Sequence, residues 1–167
     1  MTLEEALKTA IEYEIKVRDA YLGALGDIAD EIGRKVFEVL GNEEQVHIDF
    51  LQAKLAEWQK TGKISSARLD SVVPAKAVIE AGVRKLDDHL SKRDYGTELE
   101  MLRKALALEQ ETSAFYRQMV SEMKGNSELF ARFLEIEEGH QAIVQAELDY
   151  LTRSGTFFDF REFTLEH

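Results

Sequence analysis

Glu44-Gln45-Val46-His47 and Glu137-Glu138-Gly139-His140 are two copies of one spacing, Glu-x-x-His, and each follows a lone acid, Glu14 or Glu109, by about thirty residues. The lone acids recur in matched settings. Ala10-Ile11-x-x-Glu14 leads on to Tyr21, and Ala105-Leu106-x-x-Glu109 leads on to Tyr116. Residues three apart share one helix face, so a Glu-x-x-His pair can bring a carboxylate oxygen and an imidazole nitrogen to the same point. The chain therefore offers four carboxylates and two imidazoles in two equivalent halves.

The surrounding periodicity is helical. Thr2-Leu3-Glu4-Glu5 has the form of a capping box, and Leu3, Leu7, Ala10, Glu14, Val17, Tyr21 and Ala24 then trace one buried stripe that Gly26 ends. A second helix is predicted from near Asp30 to about Lys60, with Gly62 as its stop; its stripe is Phe37, Leu40, Glu44, His47, Leu51, Leu55 and Trp58. Thr97-Glu98-Leu99-Glu100 repeats the capping box and opens a third helix, with Leu102, Ala105 or Leu106, Glu109, Ser113, Tyr116, Val120 and Met123 on its stripe. Gly125-Asn126-Ser127 reads as a turn with a ready cap for a fourth helix carrying Phe130, Phe133, Glu137, His140, Val144, Leu148 and Leu151, ended by Gly155.

Hairpin folding brings the acids to one level. The midpoint between residues 14 and 44 falls in the Gly26–Asp30 turn, and that between 109 and 137 falls within two residues of the second turn, so each hairpin presents its acids at mid-height. The expected architecture is one all-α domain over 1–167: hairpin 1 at 2–62, a crossover at 63–96 with a short helix over Ala75–Leu90, hairpin 2 at 97–155, and an aromatic tail at 156–167. The tail packs Phe157, Phe158, Phe160 and Phe163 into a few residues and is expected to cover the helices or a second subunit.

Composition agrees and excludes other classes. One Pro and abundant Ala, Leu, Glu and Lys among 167 residues favour helix. A net charge of -11, with Lys and Arg scattered among acids, argues against a nucleic-acid partner. There is no Cys, which removes disulfides, zinc-thiolate sites and iron–sulfur centres. No apolar run approaches a membrane span, and Met1-Thr2-Leu3-Glu4-Glu5 has neither the basic nor the apolar part of a secretory leader, so the expected compartment is the cytoplasm. Leu165-Glu166-His167 resembles the remnant of an expression tag, and His89 in the crossover reads as a surface residue.

A single Glu on an amphipathic helix ordinarily faces solvent. Here all four interrupt apolar stripes, and no Lys or Arg occupies the neighbouring stripe positions. Burying an ionised carboxylate without a partner costs several kcal/mol, so a cluster of four calls for cations from outside. Mixed oxygen and nitrogen donors suit Fe(II), Mn(II) or Zn(II), and four carboxylates balance two divalent ions. The single-zinc protease motif, with two His four apart on one helix, is absent.

On these residues the chain resembles the rubrerythrin-like branch of the ferritin-like diiron-carboxylate proteins, over roughly residues 1–62 and 97–153. The resemblance implies a ferritin-like four-helix bundle with one long crossover and two iron ions, for which Zn(II) or Mn(II) can substitute. It implies Glu14 and Glu109 as ligands from the first helix of each hairpin, Glu44 and Glu137 as bridging carboxylates, and His47 and His140 as terminal ligands. Tyr21 and Tyr116 would hydrogen-bond the ligand carboxylates across the bundle. The implied activity is reduction of O2 or hydrogen peroxide with oxidation of Fe(II), and a homodimer is the expected assembly. Two departures stand out. The rubredoxin module is missing, so an external electron donor is implied, and Thr112 stands where rubrerythrins carry an extra Glu, with Glu111 about 100° round the helix. The alternatives are a non-catalytic iron-binding or storage protein, a bundle holding zinc for structural reasons, and hydroxylation of an organic substrate.

Overall fold

The structure is a computed structural model that describes residues 1–84 and 96–161. Among these residues it is all-helical, without strands: α1 Leu3–Gly23, α2 Glu31–Thr61, α3 Lys76–Val83, α4 Gly96–Glu122 and α5 Ser127–Ser154. Helix α1 packs along α2, α4 along α5, α1 also meets α4, and α3 lies on α5. None of the described helices is long and apolar enough to cross a membrane.

The helix ends follow local chemistry. At α1 the Thr2 Oγ1 accepts from the Glu5 backbone N–H at 3.2 Å while the Glu5 carboxylate accepts from the Thr2 N–H at 2.8 Å, which satisfies two otherwise unpaired donors. Asp30 caps α2 through Gly33 N–H at 2.8 Å, and Gly62 closes it at φ 70°, a left-handed position that only glycine occupies at little cost. Gly155 does the same for α5 at φ 73°.

Three expectations about helix ends are corrected. Helix α1 ends at Gly23, and a 3₁₀ turn over Leu25–Asp27 takes the chain past Gly26. Helix α4 already includes Gly96, so Thr97 lies inside it and cannot be its cap. The residue before α5 is Asn126, whose side chain makes no capping bond, and Ser127 is the first helical residue. The first miss arises because a 3₁₀ turn carries the chain on past the α-helix end, and the other two because a polar residue that favours a cap is equally tolerated within a first turn. Of the short helix expected over Ala75–Leu90, Lys76–Val83 is helical; the part from residue 85, His89, Phe163 and Leu165–His167 lie outside the described residues.

The core has two apolar clusters. One gathers Val17, Tyr21, Phe37, Leu40, Leu102, Ala105, Ile143, Val144 and Leu151; the other gathers Leu3, Leu7, Ala10, Leu51, Tyr116, Met119, Phe130 and Phe133. Every long helix therefore runs from one cluster to the other, and Glu14, Glu44, Glu109 and Glu137 fall at the crossing level on each. The apolar layers exclude water above and below this level.

Phe157, Phe158 and Phe160 are buried in the first cluster, with Phe158 edge-on to Tyr150 at 5.6 Å and its N–H donating to Glu147 Oε1 at 2.9 Å. The ring of Phe157 occupies the space that a side chain at Gly33 would need: a Cβ there would stand 2.7 Å from it. Gly33→Ala is therefore expected to destabilise the protein by about 1–3 kcal/mol through overpacking, outweighing the ~1 kcal/mol that Ala gains in helix propensity. Urea denaturation checks this; an unchanged or raised midpoint would contradict the packing described.

Candidate metal centre

Periodicity places Glu14 on α1, Glu44 and His47 on α2, Glu109 on α4, and Glu137 and His140 on α5, each on the face turned to the other helices. All six side chains are fully buried at 0% exposure. The structure brings the six side chains of the two halves close together. The imidazoles of His47 and His140 stack with ring centres 5.4 Å apart. His47 Nδ1 lies 3.3 Å from Glu44, 3.5 Å from Glu14 and 3.5 Å from Glu137. His140 Nδ1 lies 2.7 Å from Glu44 and 3.5 Å from Glu109.

Among the described residues donor atoms gather into two overlapping four-residue groups, Glu14–Glu44–His47–Glu137 and Glu44–Glu109–Glu137–His140, and a third of three residues, Glu43–His47–His140, the ligand atoms of each lying within 4.8 Å of one another. Each four-residue group has its own lone Glu and its own His, and both contain Glu44 and Glu137. Two ions placed in these two groups would share those two carboxylates.

The lone acids are steadied from the opposite half. Tyr21 of α1 donates its hydroxyl to Glu109 Oε1 of α4 at 2.6 Å, and Tyr116 of α4 donates to Glu14 Oε1 of α1 at 2.7 Å. The tyrosines thus bind across the pair of hairpins. Burial, and next the negative charge of the acid each one faces, pushes both phenols well above their ordinary range, so they keep their protons. Tyr116→Phe removes a hydrogen bond to a buried carboxylate and is expected to cost about 1.5–3 kcal/mol. Denaturant titration measures it, and a loss below about 0.5 kcal/mol would show that the bond is not formed.

Seven donor atoms of this cluster have no hydrogen-bond partner: Glu14 Oε2, Glu44 Oε2, Glu109 Oε2, both oxygens of Glu137 and both nitrogens of His47. Buried polar atoms are ordinarily paired. Oxygen and imidazole nitrogen atoms left open toward one another fit divalent cations of the Fe(II), Mn(II) or Zn(II) type.

Without cations, the cluster distributes protons unevenly. Burial, and then the charge of Glu14, pushes Glu44 up to about 8. Burial and the same neighbour raise Glu137 well above the carboxylate range. On Glu14 burial also pushes upward, but the hydrogen bond to Glu44 and the charge on His47 outweigh it and hold the group down at about 2. For both imidazoles burial favours the neutral form, yet the charge of Glu44 overrides it and raises them.

These shifts fix a sign for stability against pH. Glu44 is raised from 4.5 to about 8, so its contribution is complete below 4.5 and is lost as pH rises through about 8. The raised imidazoles act in the same direction, starting from 6.5. Glu14 runs the other way and loses its contribution only as pH falls from 4.5 toward about 2. Metal-free protein is therefore expected to weaken between about pH 6 and about pH 9, whereas metal-loaded protein, in which cations have displaced those protons, should not. Chemical denaturation with and without chelator at the two pH values separates these cases; a metal-free protein more stable at the higher pH would contradict the assignment.

The structure also answers the departure at Thr112. Its Oγ1 donates back to Leu108 O at 2.8 Å, Glu111 is exposed, and neither joins the donor groups. Sequence reasoning missed the burial of three further acids, Glu43, Glu98 and Glu147. Glu147 lies beyond the centre and binds the Phe158 N–H. Glu43 is 5% exposed, and its Oε1 lies 2.9 Å from His140 Nε2 and 3.7 Å from His47 Nε2. The available signal for Glu43 was its i,i+4 spacing to His47, which puts both on one face. The internal repeat concealed it, because the matching position before Glu137 is Ile136.

In comparison with known proteins, the chain matches no family model, no curated protein and no solved structure.

Proposed function

We propose that the chain is a dinuclear iron oxidoreductase that reduces O2 or hydrogen peroxide while oxidising Fe(II), built as a four-helix bundle of the ferritin-like, rubrerythrin-type class. The observation that carries this reading is the pair of four-residue donor groups sharing Glu44 and Glu137. These residues would hold two ions close enough to act on one small molecule together, and iron held there would supply two electrons. The protein's part is to neutralise and to exclude. Four carboxylates offset the charge of two divalent ions, and Tyr21 and Tyr116 hold the lone acids in register. The two apolar clusters keep bulk water from the level between them.

With Thr112 turned back on its own helix, the rubrerythrin-type extra carboxylate has no counterpart at that position of α4, and the reading does not depend on one. The chain has no Cys to hold a resident iron–sulfur or rubredoxin centre, so reducing equivalents come from outside, either as Fe(II) itself or from a donor protein.

The test is an anaerobic titration. Protein loaded with two Fe(II) per chain should consume one hydrogen peroxide for every two Fe(II), taking up two protons, forming two waters and leaving both irons as Fe(III). Failure to take up two Fe(II), or oxidation no faster than that of free Fe(II) in the same buffer, would reject the reading. Two-metal uptake of Zn(II) without any oxidation of bound Fe(II) would favour a structural zinc bundle instead.

A further inference from the structure

We infer that Glu43 is a positioning residue for both imidazoles of the centre, and that the crossover segment Ser71–Val72 holds it in place. The inference rests on the metal reading above and adds to it a residue outside the six ligands. His47 and His140 come from different hairpins, yet both point Nδ1 at the shared Glu44 and both point Nε2 at one atom, Glu43 Oε1. Glu43 groups with the two imidazoles and with none of the other four acids, and it meets the rings at Nε2, on the side away from the Nδ1 atoms that face Glu44.

A histidine that binds a cation through one nitrogen carries its proton on the other. A carboxylate that accepts this proton fixes the tautomer, orients the ring and makes it a stronger donor. Here one carboxylate faces two rings, at 2.9 Å and 3.7 Å. The repeat is broken to allow it: Ile136 takes the equivalent place on α5 and is buried at 4% exposure. A second acid there would add another buried carboxyl group to a region that already holds five.

Glu43 is itself fastened by the crossover. The Ser71 hydroxyl donates to Oε1, and the Val72 N–H donates to Oε2 at 3.1 Å. The crossover lies close on α5 along this stretch, with Arg132 Nε donating to Leu69 O at 2.8 Å. Gly139, next to His140, admits the backbone there, since a Cβ would stand 3.0 Å from Pro74 O. The connection between hairpins thereby reaches both halves of the centre through one side chain.

The test compares wild type with Glu43→Gln, Ser71→Ala and Arg132→Ala. The readouts are Zn(II) affinity, by competition with a chromogenic chelator, and the reduction potential of the iron-loaded protein. Glu43→Gln should still bind two Zn(II) per chain but roughly 10–100-fold more weakly. Its potential should move positive, because removing a negative charge disfavours the more highly charged ferric state. Ser71→Ala, which touches no ligand, should shift both readouts in the same direction by less. Arg132→Ala loosens the same crossover without touching Glu43 and should move both readouts by less than Ser71→Ala does. If wild type binds two ions and Glu43→Gln matches it in affinity and potential, the inference fails while the metal reading stands. It fails too if Arg132→Ala loses as much as Glu43→Gln. Wild type that binds no pair of ions sinks both.

Discussion

Addition of two equivalents of Mn(II), or of Fe(II) without oxygen, is expected to raise the unfolding temperature by about 10–20 °C. Each ion at one hundred times its dissociation constant adds about 2.7 kcal/mol, and a chain of this size gains about 2–4 °C per kcal/mol. The metal-free fold keeps seven unpaired donor atoms in a layer between two apolar clusters, which is where a cation has most to stabilise. A chelator should return the transition to its starting point. Mg(II), which prefers oxygen ligands and retains its waters, should produce a much smaller shift. A shift no larger than that of Mg(II) would mean that the six side chains do not act as a transition-metal site.

Glu44→Gln is expected to separate stability from binding. Glu44 belongs to both donor groups, so its loss weakens both ions. Removing one partner of a buried charge contact costs about 2–5 kcal/mol. At about 1.4 kcal/mol per tenfold this corresponds to a loss of roughly 30-fold or more in affinity. The metal-free variant should be as stable as wild type or more so above neutral pH, because the carboxyl it replaces resists ionisation up to about 8. Such an exchange of stability for function is the mark of a site built for a ligand rather than for the fold. Glu138→Gln serves as control: Glu138 pairs at 3.6 Å with Arg117, whose side chain is largely exposed, and the change should alter neither property. A Glu44→Gln protein that binds metal normally, or that is strongly destabilised without metal, would count against the assignment.

The six candidate ligands were legible because burial leaves a mark in the pattern. An acid flanked a turn away by Leu, Val or Phe cannot face water while its neighbours face the core, and two copies of the arrangement fix a common height. Thr2, Asp30 and Gly62 were legible for a similar local reason, since a cap or a left-handed terminus depends on residues a few positions apart. Glu43 was not. Its role depends on His140, ninety-seven residues away, and on Ser71 and Val72 in a connection with no periodicity to follow. Searching for what the halves share also hides what only one half possesses. Glu147 escaped because its partner is a backbone N–H of Phe158, which carries no signature in the residue type.

Anomalous diffraction at the iron edge from iron-loaded crystals should locate two cations between Glu44 and Glu137, as two peaks per chain about 3.5–4 Å apart, one beside His47 with Glu14 and one beside His140 with Glu109. A single peak, peaks at surface carboxylates, or none at this level would contradict it.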